Sequence, residues 1–433
     1  MNTTTDKNKI TLRVDGQIYE GWKSARVETS IDQICRAFVL SVTDNFPGNK
    51  SFTRLKPGQL VELYVGDEKV CTGYITSTPI SYDAQSVNVQ VQGKSRTVDL
   101  VDCCSPWSAI AQQSSGGGKS QSNDEWADVK GKSPSTPNAK PVKASNRANL
   151  SWHNQTVEKI IADLCEPFGI SVHCETTLAS KHTNFTVNPG EKVVESINRL
   201  LTKDNLVVTD DEFGNLVIVE VGSAGKCYDK LKVGQNVLTG SSNWDASKIF
   251  SVYAVLGQHK GSDLEFGKQV SQDKGIAYDN RIGRYRLLVI KDTGQSSNSL
   301  NESRAQFEKN FRHADMMRSQ HNVQGWRQTN GALWRPNSLV ELEDLILQIN
   351  GQFLINKVVL NLNQSGSITE IETISQDAYQ RAGYKPSKGA SGSTSAKTDE
   401  WAESRVNEKR IRSNSRHDRT RLCAPVICHK KNA

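Results

Sequence analysis

The chain carries one nine-residue pattern twice. Leu55–Leu63 reads LKPGQLVEL and Trp334–Leu342 reads WRPNSLVEL, 279 residues apart. In each copy a cation and a proline precede a polar pair, and Leu-Val-Glu-Leu follows. Proline cannot donate to a strand ladder, so here it marks the start of a strand. Leu-Val-Glu-Leu then alternates as a half-buried strand does. The repeat restricts the fold to two copies of one β-module, with other material between and after them. At 433 residues the chain is also too long for one compact core, so two to four domains are expected.

The first copy is legible through its alternation. Ile10, Leu12 and Val14 precede a turn at Gly16. Phe38, Leu40 and Val42 alternate within Ser30–Asp44, as do Val87, Val89 and Val91 before Gly93. Leu60–Val65 and Val70–Ile75 flank Gly66-Asp67, a hairpin signal. Five or six short strands separated by turns predict a barrel or a sandwich. For the second copy, Cys71–Ile75 is aligned with Ile355–Val359, which makes its hairpin five residues longer. Val87–Val91 is set on Thr369–Thr373.

The fold class expected is α+β, mainly β: two similar β-barrel modules, an inserted α+β domain and a basic C-terminal tail. Residues 1–102 are the first module. Residues 103–148, rich in Ser, Gly, Lys, Pro and Asn, form a flexible loop. Residues 149–224 are the inserted α+β domain. There Gln155–Cys165 and Glu191–Lys203 have helical periodicity, and Leu206–Thr209 and Leu216–Val221 flank a polar hairpin tip at Asp210-Asp211-Glu212. Residues 225–380 are the second module, with a polar loop at 257–275 and a helix over Glu302–Arg318. Residues 381–433 are the tail.

Charge is unevenly distributed. Residues 381–433 hold 13 Lys and Arg against 5 Asp and Glu, a net of +8, whereas the whole chain has 54 against 47, a net of +7. The body is therefore close to neutral, which argues against a nucleic-acid-binding domain. The tail can be a solvated arm, a phosphate-binding arm or a segment that orders on a protein partner. Trp401, Val406 and Ile411 in Asp399–Arg412 favour the partner. No apolar run approaches the ~20 residues that span a bilayer. The N-terminus lacks the apolar core of a signal peptide, so synthesis and first folding are expected in a cytoplasm.

Motifs for chemistry are weak. Gly116-Gly117-Gly118-Lys119-Ser120 has Gln113 where a phosphate loop needs glycine. Nine scattered cysteines do not make a disulfide framework and read mostly as small apolar residues. Cys423, Cys428 and His429, with His417, have some metal-ligand character, but an unstructured tail is the simpler reading. His153, His173, His182, His259, His313 and His321 have neither HExxH spacing nor an obvious partner, and Asp210-Asp211-Glu212 reads as solvated charge. No catalytic, cofactor-binding or metal residue is assigned, and no enzymatic activity or cofactor is expected.

The pattern resembles the baseplate hub proteins of phage Mu and Mu-like prophages over about residues 8–380. The residues that carry the resemblance are SIDQICRAFVLSVTD at Ser30–Asp44, TVEKIIADLCEPFGI at Thr156–Ile170, and Gly325-Trp326 followed by GALWRPNSLV at Gly331–Val340. The family is similar in design to the T-even hub and to the base of type VI secretion spikes. The resemblance implies a homotrimer whose duplicated modules form a ring of pseudo-six-fold symmetry. Such a ring joins the six-fold tail tube of a contractile tail to the trimeric membrane-piercing spike and surrounds the DNA channel. The implied location is the virion tail baseplate, assembled in the host cytoplasm. Implied partners are the spike, the tube or other baseplate proteins and the tape measure, with DNA only passing through and no stable membrane association. The other readings are a peptidoglycan- or carbohydrate-binding module and a cell-wall hydrolase at the tail tip.

Overall fold

The computed structural model describes residues 7–44, 55–84, 87–105, 140–142, 151–175, 181–204, 206–258, 273–295, 298–364 and 366–376. Gly116–Ser120, His259 and the tail with Trp401, His417, Cys423, Cys428 and His429 lie outside them. The described chain is mainly β.

The first repeat supplies β1 (Ile10–Val14), β2 (Gln17–Tyr19), β3 (Ser24–Ser30), β4 (Ala37–Asp44), β5 (Leu60–Val65), β6 (Glu68–Ser77), β7 (Ile80–Tyr82) and β8 (Val87–Ser95), then helix α1 (Val98–Asp102). The insertion follows with β9 (Lys140–Val142), β10 (Ser151–Thr156), α2 (Val157–Cys165), β11 (Val172–Cys174), β12 (Lys181–Thr186), α3 (Val193–Asp204), β13 (Val207–Asp210) and β14 (Leu216–Val219). Both long helices of the insertion are amphipathic: Ile160, Ile161 and Leu164 of α2 and Val193, Ile197 and Leu200 of α3 are fully buried in one cluster with Leu216 and Ile218. Strand β9 lies within the stretch read as a loop. It pairs with β11, Val142 opposite Val172, and so completes the sheet β13-β14-β11-β9.

The second repeat contributes β15 (Leu231–Lys232), β16 (Val237–Trp244), β20 (Met317–Gln324), β21 (Leu339–Asp344), β22 (Ile349–Asn363) and β23 (Gly366–Ser375). Between β16 and β20 sits a second insertion: β17 (Val252–Gln258), β18 (Asp273–Tyr278), β19 (Leu287–Gln295) and helix α4 (Asn298–Asp315). Tyr253, Val255 and Ala277 face Ala305 of α4 in a small core of their own. Helix α4 ends before the expected Arg318, because Met317 already begins β20.

The duplication is visible in the strand order. In the first repeat β3-β4-β8-β6-β5 are neighbours; in the second β16-β20-β23-β22-β21 are neighbours, with the same antiparallel pairings. The second insertion occupies the connection equivalent to β3–β4. The proline motif begins equivalent strands. Gly58 N donates to Ile75 O at 2.8 Å, and Asn337 N donates to Ile355 O at 2.8 Å. Both take left-handed backbone, φ 89° at Gly58 and φ 64° at Asn337, which glycine and asparagine tolerate best. Ile75 is therefore equivalent to Ile355, and the second hairpin is one residue longer, not five. Ile75 lies opposite Gly93 and Ile355 opposite Thr373, and a bulge follows each, at Thr76 and at Asn356. Val91 is then equivalent to Ile371, two residues from the expected match. The slip at Val91 is even-numbered and keeps its residues on the correct face, but the bulge at Asn356 inverts the alternation, so the expected match of Ile75 with Val359 set a core residue on one that lies opposite Glu28 on the outer face.

Pairing does not stop at the border between repeats. The C-terminal half of β22 pairs with β3, Lys357 opposite Ser30 through Leu362 opposite Ala25, and one 14-stranded sheet results. One core serves both halves: Leu12, Phe38, Leu40 and Leu63 cluster with Trp326, Val340, Leu342 and Ile371. The two barrel-like modules read from the sequence thus share a ladder and a core.

Candidate functional site

The feature with the clearest functional geometry is a run of eight strands, β16-β20-β23-β22-β3-β4-β8-β7, four from each repeat. Its middle joint is the β22–β3 pairing. Its two ends are unpaired among the described residues. At one end β16 pairs only with β20, and most of its residues are exposed, including Trp244 and Leu238. At the other end β7 pairs only with β8 and is exposed throughout, with Tyr82 at 83%.

These ends are the counterparts of the joint. Ile80, opposite Val89, is equivalent to Leu360, opposite Thr369. Ser242, opposite Ser319, is equivalent to Val27, opposite Phe38. Leu360 and Val27 face each other inside the chain. Backbone groups are directed accordingly. Asp245 N donates to Met316 O at 3.1 Å, so odd-numbered residues of β16 bond inward to β20 and Ser242 turns outward. Gln90 N donates to Pro79 O at 2.9 Å, so Ile80 and Tyr82 turn outward and Pro79 leaves the open edge its donors.

The expected solvated tip Asp210-Asp211-Glu212 is corrected by the structure. Asp210 and Asp211 are each 3% exposed. Arg36 Nε donates to Asp210 Oδ1 at 3.1 Å and Arg36 Nη2 to Asp210 O at 2.9 Å. Asp211 accepts from Phe213 N and Asn215 N and closes the turn. Thr72 Oγ1 donates to Glu212 O, which ties the tip to β6. Sequence alternation cannot identify a tip that docks on another domain. A cleft of about 350 Å³ lies beside this contact, bordered by Arg36, Lys69, Asp210, Trp334 and Asn337. Its charged groups already hold protein partners.

Among the described residues the histidines do not converge. His153 Nδ1 lies 2.6 Å from Asn184 Oδ1. His321, fully buried, has Nε2 3.1 Å from Asp344 Oδ2, a partner the sequence did not reveal because 23 residues separate them. Burial holds the His321 pKa below the ordinary value, against the raising effect of Asp344. Cys71, Cys165 and Cys174 are buried and in no disulfide, and burial pushes the half-buried Cys35 thiol up to about 11, as for packing residues. Among the described residues no three His, Cys, Asp or Glu side chains gather to hold a metal, and no helix is long and apolar enough to cross a membrane.

Three family models match in succession. Mu phage baseplate assembly protein GpP-like, N-terminal, matches residues 9–95. Baseplate hub protein gp44-like, second domain, matches residues 142–220. Mu phage baseplate assembly protein GpP, fourth domain, matches residues 297–382. Baseplate hub protein gp44 of Escherichia phage Mu is 29% identical over 384 residues, covering 86% of this chain and 89% of that protein. The chain belongs to the Mu-like baseplate hub family.

Solved structures agree with the family. The 43 kDa tail protein of prophage MuSo2 from Shewanella oneidensis is 26% identical, with TM-score 0.69, over 86% of this chain and all of that one. A tail protein of Neisseria meningitidis MC58 has the same fold at 16% identity, TM-score 0.65, over 86% of this chain and 97% of that one. The chain is thus a tail baseplate protein of a Mu-like phage. Trp326 and Trp334 of the family resemblance lie in the shared core, where Trp326 Nε1 donates to Asn361 O at 3.0 Å.

Proposed function

We propose that this hub is a homotrimer that closes the eight-strand run into a ring, joins the tail tube to the membrane-piercing spike and surrounds the DNA channel. The observation that carries the reading is the open counterpart of an occupied joint. Inside the chain, β22 of the second repeat pairs with β3 of the first. Between chains, β7 of one first repeat would pair with β16 of the next second repeat, in the same register: Ile80 opposite Ser242, and Tyr82 opposite Gly240. A head-to-tail contact of this kind forms a ring when its rotation closes. Three chains give six near-equivalent joints, three within chains and three between them.

The size suits a channel. Eight strands from each of three chains make twenty-four; at about 4.8 Å per strand the wall is at least roughly 37 Å across, wider with strand tilt, and subtracting about 5 Å of side chains per side leaves at least roughly 27 Å. A barrel of 16–18 strands already leaves an aqueous pore.

The repeats differ where a three-fold partner needs them to. The first hairpin turns at Gly66-Asp67. The second turns through a longer tip on which Leu345 and Ile346 are 89% and 78% exposed. Asp344 Oδ1 accepts from Ile346 N and Leu347 N and holds that tip in shape. Three such apolar tips per ring form a surface for a trimeric spike, while the repeated body matches a six-fold tube. The tape measure is a further partner in this reading, the location is the virion tail baseplate, and assembly takes place in the host cytoplasm.

Mass photometry of the full chain tests the ring. Trimers are expected for the wild type and monomers for Ser242→Pro, which removes an outward donor. A wild type that stays monomeric at high concentration and binds neither spike nor tube protein would sink the reading.

A further inference from the structure

The eight-strand run has two unlike faces. One packs on the core through Ala25, Val27, Phe38, Leu40, Val91, Val358 and Ile371. The other presents the alternate residues, which strand geometry puts on the opposite side. Its uncharged positions include Gln90, Gln92 and Gln320. Its charged ones are four cations, Arg26, Lys94, Arg318 and Lys357, and four acids, Glu28, Glu370 and Glu372 with Asp32 just beyond β3. Asp315, just before β20, also lies 2.6 Å from Arg318, so with it the formal charge of the group is −1.

Arg26, Arg318 and Lys357 are also paired locally, mostly across strands. Lys357 Nζ lies 2.5 Å from Glu28 Oε1. Arg26 lies 3.4 Å from both Glu28 and Glu370. Arg318 lies 2.5 Å from Glu372 and 3.4 Å from Asp32. Two asparagines hold the acids in place: Asn356 Nδ2 donates to Asp32 at 2.7 Å and Glu372 at 3.1 Å, and Asn361 Nδ2 donates to Glu370 at 2.7 Å. Exposed ion pairs stabilise a fold by only about 0–1 kcal/mol each, so stability is a poor account of this ladder.

We infer that this face is a non-retentive wall for a polyanion: its carboxylates occupy the cations that would otherwise grip nucleic-acid phosphates. Proteins hold duplex DNA chiefly by neutralising phosphates with Lys and Arg and releasing counterions. A guanidinium already facing a carboxylate has less to offer a phosphate, and a face whose net charge is close to zero exerts little long-range pull on the duplex. The inference rests on the channel reading above and specifies how such a channel avoids holding what passes through it. The contrast lies within the chain, since residues 381–433 carry a net +8.

Two full-length variants with the same change in net charge test it. The first removes acids of the face: Glu28→Gln, Glu370→Gln and Glu372→Gln. The second removes exposed acids elsewhere: Asp67→Asn, Glu166→Gln and Glu302→Gln. The probe is a short fluorescent DNA duplex, read by anisotropy between about 50 and 200 mM salt. The basic tail is common to both variants, so the difference between them reports the face. The face variant is expected to bind roughly tenfold tighter, with a salt dependence steeper by about 2–3 in log–log slope. Equal affinities and slopes would overturn the inference. If the triple variant does not fold, as judged by circular dichroism, Glu370→Gln is compared with Glu302→Gln, and no tightening overturns it equally. Ring mass is measured on the same samples: wild-type monomers contradict the assembly reading, whereas intact rings with equal DNA binding contradict this inference alone.

Discussion

Arg36 and Asp210 meet at 3.1 Å across the contact between the first repeat and the insertion, and the Asp210 side chain is 2% exposed. The pair is the polar centre of that contact. Arg36 also donates to Val70 O at 2.8 Å, so one guanidinium holds both sides. Removing one partner leaves the other charge buried. Asp210→Ala is expected to cost about 3–5 kcal/mol, measured by urea unfolding. Replacing both residues by apolar ones of similar volume, Arg36→Met with Asp210→Leu, is expected to recover most of that loss.

Close approaches in the ladder rank three glycines. A Cβ on Gly73 would lie 1.9 Å from Lys94 O, and one on Gly275 would lie 2.0 Å from the α4 backbone at Asn301. A Cβ on Gly93 would lie 2.1 Å from Phe38 Cζ, a side chain, and 2.8 Å from Tyr74 O, a milder backbone clash than the other two. Thermal melts should place Gly73→Ala and Gly275→Ala below Gly93→Ala, with Gly93→Ala near the usual 1–3 kcal/mol, roughly, of overpacking.

The repeats solve one packing problem in two ways. Phe38 lies opposite Gly93, and at the equivalent place Ser319 lies opposite Thr373, their hydroxyls 2.7 Å apart. Gly93→Thr alone should clash, and Phe38→Ser alone should leave a cavity worth about 3–5 kcal/mol. The double variant transplants the second solution into the first repeat. Its destabilisation is expected to fall short of the summed single effects by at least about 1 kcal/mol in a double-mutant cycle.

Buried His321 makes stability depend on pH. Burial lowers its pKa despite the Asp344 carboxylate at 3.1 Å. A lowered folded-state value means that the unfolded chain binds the proton more readily. Stability is therefore complete above the ordinary histidine range and declines as pH drops through about 6.5. His321→Leu adopts the residue of the equivalent position, Leu40. Its urea midpoint should change less than that of the wild type between roughly pH 8 and pH 5. An unchanged slope would remove His321 as the cause.

Much of this hub was legible in its residues. Alternation at Phe38, Leu40 and Val42 and helical periodicity at Ile160, Ile161 and Leu164 gave elements and faces, because burial on one side imposes a period on the chain. The LKPGQLVEL and WRPNSLVEL segments gave the duplication, because a strand start needs a particular local backbone whichever fold surrounds it. Local periodicity is satisfied equally by registers two or four residues apart, so it left the alignment of Ile75 with Ile355 undetermined.

What the sequence determined by itself was period and repetition, both set by residues near one another in the chain. Tertiary structure decided which edges meet. Arg36 finds Asp210 across 174 residues, and β22 finds β3 across more than 300. Such contacts depend on backbone direction and on which surfaces remain to be buried once local elements exist, and neither is written in any single stretch of the chain. The same contacts leave β7 and β16 open at opposite ends of the run, which only the assembled sheet reveals.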